Sequence, residues 1–358
     1  MPSPLPRCRR PKRCGNLTEH PQRDLACDFR NRTPRLAEAG RVGTVRVAME
    51  RLPRPDVILT HESDLDGFVS GHLLQRLAKA VHGVDVRLEA WNTQAWKQRP
   101  LKEGSAWVCD LAYDPRLDRP DWVIIDHHPV DDRPRRARFI QDTTHSAAKL
   151  CYAFCRDAGL GNPTLDRVVE LTDIGDLFAE EHPDFELSQE YAALLKSYPF
   201  WNLSKLLGGQ IEALLDHPLL EVVRARKRIE DPIGLAWSRQ RITSVTPALG
   251  WVDIAVGNAN LIVHELLRSP ECRHAILATM IKKAATGIVI SLRSRNGEAL
   301  PVAQKLQGGG HPNAAGATLP RSVQTFPDAL EFLRRILDPQ PQPAGNLEEA
   351  FSTLRLNP

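Results

Sequence analysis

From residue 55 the chain alternates short apolar runs with stretches of helical period. "DVILTH" is a β-branched run of strand length. In the following "GFVSGHLLQRLAKAVHG", Val69, Leu73, Leu74, Leu77 and Val81 recur on one helix face, and Gly83 is placed to end the helix. "VDVRLEAW", "AWVCDL" and "DWVIIDHH" are further strand-length runs, apolar on both faces. Two helical segments come next, "SAAKLCYAFCRDAG", closed by Gly159, and "TLDRVVELTDIGDLF". Doubly buried strands separated by helices predict an α/β fold with a mostly parallel sheet over residues 55–185.

The pattern then changes. Residues 186–245 are nearly free of strand signals, and "HPLLEVVRARKRIEDPIGLAW" reads as a charged connecting helix, interrupted near Pro232. A second, smaller α/β unit is expected over 246–338. "HAILATMIKK" and "TGIVISLRSRNG" suggest a hairpin, followed by a helix "EALPVAQKL", a glycine cluster and a last helix "DALEFLRRIL". Residues 339–358 form a Pro-rich tail, and 1–54 show no period at all.

Charge sharpens this division. Residues 1–54 carry thirteen Arg and Lys against five acids, so this tail holds +8 while the rest of the chain holds −5. The body is therefore not a general polyanion binder. The tail reads as loosely attached, with the ordered chain beginning near Met49. No run approaches the roughly 20 apolar residues of a membrane span, and no secretory leader is visible. The seven cysteines (8, 14, 27, 109, 151, 155 and 272) include no C-x-x-C pair, and their odd number argues against a disulfide framework. A cytoplasmic protein is expected.

Chemistry collects where strands end. The first run leads into "HESDLDG" with His61, Asp64 and Asp66, the third stops at Asp110, and the fourth at Asp126, His127 and His128. Asp173 and Asp176 add acids inside an apolar helical segment. In open parallel sheets the carboxyl ends of strands line the ligand crevice. Carboxylates gathered there without Lys or Arg between them repel one another unless a cation neutralises them. Carboxylate with imidazole suits Mn²⁺ or a similar first-row ion, and the number of acids suggests two ions forming a clamp for phosphoryl chemistry. In the second unit, Gly308, Gly309 and Gly310 let backbone N–H groups approach an anion, His311 can bond or stack on a nucleotide, and Arg293 can pair with a phosphate. Cys151 and Cys155, one helical turn apart, read as packing residues, as do Trp91 and Trp96 in preference to base-stacking platforms.

Taken in order, "THESDLDG", "VCDL", "IIDHHP" and "LTDIGDLF" resemble the four motifs of the DHH phosphoesterases. "SLRSRNG" followed by "GGGHPNAAG" resembles the associated DHHA1 domain. The resemblance spans about residues 55–335 and is nearest in size and architecture to the oligoribonuclease and pAp-phosphatase branch. It implies an N-terminal DHH catalytic domain joined by a helical connector to a substrate-binding DHHA1 domain. It further implies that Asp64, Asp66, Asp110, His127 and Asp173 ligate two Mn²⁺, with Mg²⁺ or Co²⁺ as substitutes, and that Asp110 bridges them. His61 is a further ligand candidate, with Glu62 as its alternative. His128 would contact the scissile phosphate, and Asp126 would orient an imidazole.

The resulting expectation is a hydrolase of phosphodiester or phosphomonoester bonds in nucleotides or short oligonucleotides. Only about twenty residues follow the final helix, so no further domain for a long strand is expected. The alternatives are an exonuclease on longer single strands, an inorganic pyro- or polyphosphatase, or an inactive nucleotide-binding relative. No membrane partner is expected, and a homodimer stays open.

Overall fold

The structure is a computed structural model describing residues 52–283 and 287–339. The basic tail lies outside the described residues except for 52–54, and the Pro-rich tail except for residue 339. Residues 52–54 already belong to the core. Leu52 is buried in it, and the Trp107 indole N–H donates to the Pro53 carbonyl at 2.9 Å.

The first half follows the hydrophobic pattern closely. β1 (Val57–His61), α1 (Leu65–His82), β2 (Arg87–Trp91), α2 (Thr93–Gln98), β3 (Ala106–Cys109), β4 (Trp122–Asp126) and β5 (Arg138–Gln141) are followed by α3 (Ala147–Asp157) and α4 (Pro163–Asp176). The strands make one parallel sheet of order β2-β1-β3-β4-β5. Alternate residues serve opposite cores: Ile58, Trp107, Val123 and Ile125 meet α1, α3 and α4, while Val57, Leu59, Val108 and Ile124 pack with Leu117 and Trp122. That is why β1, β3 and β4 are apolar at nearly every position. Gly83 ends α1 with φ of 69°, a left-handed conformation open to glycine. β5 has no counterpart among the apolar runs, because this edge strand is half-buried at each of its four positions.

The expected connector divides in two. α5 (Phe185–Ser197) and α6 (Phe200–Leu206) place Tyr191, Leu194, Phe200 and Leu203 in the first core. α7 (Leu219–Arg239) then runs on, unbroken at Pro232. An interior proline lacks an N–H and crowds the preceding turn. Here the helix is held on both sides of it: the Asn258 N–H donates to Asp231 Oδ1 at 2.7 Å, and Gly234 packs directly on the Val256 carbonyl.

The second unit contains β6 (Ile242–Ser244), β7 (Leu249–Val252), α8 (Ala259–Arg268), β8 (Ile276–Lys283), β9 (Gly287–Ser294), α9 (Ala299–Lys305), β10 (Gly309–His311), β11 (Ala314–Thr318) and α10 (Phe326–Leu337). Its sheet has the order β10-β11-β9-β8-β7-β6, antiparallel except between β7 and β8. β8 and β9 pair as the hairpin expected from the pattern. The glycine cluster runs into a strand: Gly309 and Gly310 begin β10, with Gly308 just before it. Arg293, Ala314 and His311 lie in one row across β9, β11 and β10, so Arg293 and His311 emerge on the same face. Among the described residues no helix is long and apolar enough to cross a membrane.

Candidate functional site

Three neighbouring strands deliver polar groups to one edge of the parallel sheet. His61 is the last residue of β1, Asp110 follows β3, and Asp126 ends β4 with His127 and His128 behind it. Parallel pairing puts these ends side by side. Asp64 caps the N-terminus of α1, accepting the Gly67 N–H at 3.0 Å, and Asp66 sits in the first turn of that helix. Asp66 in turn accepts the Ala147 and Ala148 N–H groups at 2.8 and 2.6 Å, the free donors at the start of α3. Asp110 adopts φ of 52°, an uncommon conformation that Asp tolerates and that re-aims its carboxylate at the strand end.

The side chains form two sets that meet at Asp110. In one, His61 Nδ1 lies 2.7 Å from Asp64 Oδ2 and 3.8 Å from Asp110 Oδ2. In the other, His127 Nε2 lies 3.6 Å from Asp66 Oδ2, 3.5 Å from Asp110 Oδ1 and 3.4 Å from Asp176 Oδ2. His61, Asp64 and Asp110 offer ligand atoms within 4.8 Å of one another, and so do Asp66, His127 and Asp176. Asp110 thus turns one oxygen toward each set.

Two candidate ligands lie outside both sets. Asp173 is not in either set: its carboxylate accepts the Ser146 N–H and the Lys149 ammonium, both at 2.7 Å, and it caps α3 from below. Asp176, one turn further along α4, faces His127 instead. Glu62 is also elsewhere, accepting from Asn92 Nδ2 at 3.0 Å, whereas His61 reaches the cluster.

The charges are poorly satisfied by protein alone. Asp110 Oδ2, Asp126 Oδ2 and Asp176 Oδ2 are buried without a hydrogen-bond partner. Burial and the surrounding carboxylates push Asp110 and Asp176 well above the usual range, and burial with the Asp64 charge lifts Asp66 to about 7. Burial opposes ionisation of Asp64 too, but the His61 imidazole holds it low. His127 is pushed down to about 4 by burial and by His128, so it is neutral and free to act as a ligand. Orphaned buried oxygens, raised carboxyl groups and a neutral imidazole are the condition of a donor set made for a divalent cation. The residues fit.

His128 borders this group: with Asp110, Asp126 and His127 it offers ligand atoms within 4.8 Å of one another. Its Nδ1 lies 2.8 Å from Asp126 Oδ1, which also accepts the His127 N–H at 2.8 Å. Burial alone would discharge the ring, but the Asp126 charge outweighs it and raises His128, leaving a proton available. The second sheet closes over it. The His311 ring sits 5.1 Å from His128, stacked, and 4.9 Å from His127. Beside it Arg293 Nε is buried without a partner, and burial brings this guanidinium down to about 10. Lys196, at the end of α5, faces the same cleft. Its surface touches solvent, yet the enclosing walls and the nearby Arg293 charge lower it to about 8 while Asp64 pulls the other way. Lys196 belongs to no motif and was legible only as one lysine among many.

The glycines are placed differently from one another. A side chain at Gly308 would lie 2.0 Å from the Gly316 carbonyl, and Gly310, with φ of 135°, would meet the Ala314 carbonyl at 2.6 Å. Both let β10 lie close against β11. Gly309 alone opens onto free space. Trp96 is buried beneath Arg116, Trp91 stacks with Arg99, and Cys109, Cys151 and Cys155 are buried, as packing residues should be.

Residues 250–338 match the model of the DHHA1 domain family. The chain carries a DHHA1 domain. A parallel five-stranded sheet followed by a DHHA1 domain is the arrangement of DHH proteins, so fold and domain order agree with the motif resemblance. By sequence, no curated protein matches the chain. Among solved structures, exonuclease RecJ bound to manganese superposes with a TM-score of 0.50 at 16% identity, covering 78% of this chain and 89% of that one, and shares its fold. The pGpG-specific phosphodiesterase PggH from Vibrio cholerae gives a TM-score of 0.47 at 16% identity over 78% and 98% of the two chains. An exopolyphosphatase-related protein from Bacteroides fragilis gives 0.38 at 15% identity over 80% and 94%. In these terms His311 is the DHHA1 domain's contribution to the cleft, and the acidic cluster is the contribution of the parallel sheet.

Proposed function

We propose that this chain is a divalent-metal-dependent phosphoesterase, using Mn²⁺, that hydrolyses phosphodiester or phosphomonoester bonds of nucleotides and short oligonucleotides. The observation that carries the reading is the pair of ligand sets sharing Asp110, faced at about 5 Å by His311. Asp64, Asp110 and His61 would hold one ion, and Asp66, Asp110, His127 and Asp176 the other. Such a pair, when bound, polarises phosphoryl oxygens and lowers the pKa of water at neutral pH.

The chain's own residues do the rest. The two α3 N–H groups fix Asp66, and Asp110's backbone aims its carboxylate between the sets, so the ligands are arranged before anything binds. His128, kept protonated by Asp126, is placed to hydrogen-bond a phosphate oxygen and to give its Nε2 proton to the departing oxygen. Arg293 and Lys196, cations without an acid partner among the described residues, hold a phosphate that does not react. His311, a neutral ring, faces the cleft from the DHHA1 side and is placed to hydrogen-bond the bound nucleotide. Short substrates are favoured because residues 55–358 carry a net −5, giving little hold on a long polyanion. The manganese-bound RecJ fold supports the class of chemistry.

The test is a panel run with Mn²⁺: pAp, linear and cyclic dinucleotides, a five-mer, a thirty-mer and pyrophosphate, compared by kcat/KM at moderate salt. Preference for the short nucleotides is expected. A clear win for the thirty-mer points to a long-strand exonuclease, a win for pyrophosphate to an inorganic phosphatase, and undiminished activity in excess EDTA rules out the metal reading.

A further inference from the structure

Among the described residues, four of the largest exposed apolar side chains sit on one helix. On α7, Val222 is 41% exposed, Ile229 58%, Ile233 58% and Trp237 40%. Their spacing of seven, four and four residues puts them in a single stripe along about 22 Å of helix. Leu220, Val223, Gly234 and Ser238 are the buried positions, so the stripe lies on the side turned away from the core. An apolar row of this length on an otherwise charged helix calls for a covering surface.

The charges around α7 divide in the same way. On the inner flank, Arg224 pairs with Glu190 and Glu221, and Lys227 pairs with Glu186. Arg226 and Glu230, on the stripe's own side, have no ion-pair or hydrogen-bond partner among the described residues. Trp237 is held in place at one end, with the Arg241 guanidinium 3.5 Å over its ring and its indole N–H 3.3 Å from Asp253 Oδ2. A fixed aromatic at the rim of an apolar row is the form of an interface anchor.

We propose that this stripe is where a second copy of the chain docks, helix against antiparallel helix, about a two-fold axis near Ile229. The orientation follows from the charges. A parallel copy would set Arg226 against Arg226 and Glu230 against Glu230. An antiparallel copy brings Arg226 to the partner's Glu230 twice, and lays Trp237 over the partner's Val222. Such a self-complementary patch uses every exposed apolar residue of the stripe on both chains. One helix face falls short of the roughly 800 Å² per partner of a standard interface, so a concentration-dependent dimer is expected, not a permanent one.

Sedimentation equilibrium on the full chain, without substrate or metal, tests this over about 1–100 µM. Wild type should shift from monomer to dimer across that range, while Ile229→Glu with Ile233→Glu should weaken association at least about 30-fold with an unchanged circular dichroism spectrum. Arg226→Glu alone and Glu230→Arg alone should each be monomeric, and an equimolar mixture of the two should recover the dimer. Recovery in the mixture separates a contact across the axis from a pair within one helix. Three results overturn the proposal: a wild type monomeric throughout, a dimer indifferent to the isoleucine changes, or single-charge variants whose mixture stays monomeric.

Discussion

The two sheets present opposite faces to one cleft. The edge of the parallel sheet offers acids and imidazoles whose buried oxygens find no partner, while the DHHA1 sheet offers an arginine and a histidine, with Lys196 reaching in from α5. Neither side is satisfied alone. On the parallel-sheet side carboxylates outnumber the imidazoles that could balance them, and Arg293 on the DHHA1 side has no acid partner among the described residues. On the proposed function a metal ion would complete one and a phosphate the other, so a phosphorylated ligand lying between them would answer both deficits at once. On this reading the first sheet governs chemistry and the second governs grip.

The sharpest way to break that division is Asp110→Ala. It should reduce activity by orders of magnitude and bring bound Mn²⁺ below the wild-type level by metal analysis, with the fold retained. Because Asp110 is costly to ionise in the metal-free protein, its removal should not lower Tm when no metal is present. Next, His128→Ala should lower kcat about 10²–10⁴-fold with KM little changed, as expected for a lost proton donor. His311→Ala should instead raise KM about 10-fold or more, the effect of one hydrogen bond to a charged group. If both variants change the same constant, the contrast between chemistry and grip fails.

A smaller pair separates two acids on α4. Asp176→Asn should weaken Mn²⁺ binding, measured by calorimetry. Asp173→Asn should leave binding nearly intact and cost only about 1 kcal/mol of stability, because Asp173 closes α3 and pairs with Lys149. Equal losses of metal affinity would put Asp173 back among the ligands.

The smallest effect expected is in pH dependence. Asp66 rises to about 7 when folded, above its unfolded value, so the metal-free folded state binds the extra proton between those values. The stabilisation from that proton is complete below the unfolded pKa and is lost as pH climbs toward 7. Mn²⁺ replaces the proton, so the Tm gain on adding Mn²⁺ should be larger at pH 8 than at pH 5. A gain that shrinks with rising pH contradicts this.

The central strands β1, β3 and β4 could be read directly from sequence, because both of their faces are buried and nearly every position must be apolar. Gly83, closing α1, was equally plain. β5 escaped because an edge strand at half burial needs no such pattern. On α4, Asp173 and Asp176 share one side a turn apart, and spacing alone does not say which carboxylate tops the helix beside His127. Pro232 suggested a break that Asp231 and Gly234 prevent through contacts distant in sequence. The glycine row looked like an anion loop, yet Gly308 and Gly310 answer to the backbone of β11. Lys196 carried no signal, since its meaning comes wholly from the groups across the cleft.

The unbroken α7 has a mechanical consequence. A helix continuous from Leu219 to Arg239, anchored to α5 at one end and to α8 at the other, behaves as a strut, with no flexible joint at Pro232. The gap between His311 and His128 is then inherited from the stiffness of that strut. Entry and exit of a nucleotide would be governed by rotation of side chains such as Lys196 and His311, with little swing of one sheet against the other. Small-angle scattering at low protein concentration should accordingly show the same radius of gyration with and without a non-hydrolysable nucleotide, and a contraction on binding would instead reveal a hinge outside α7.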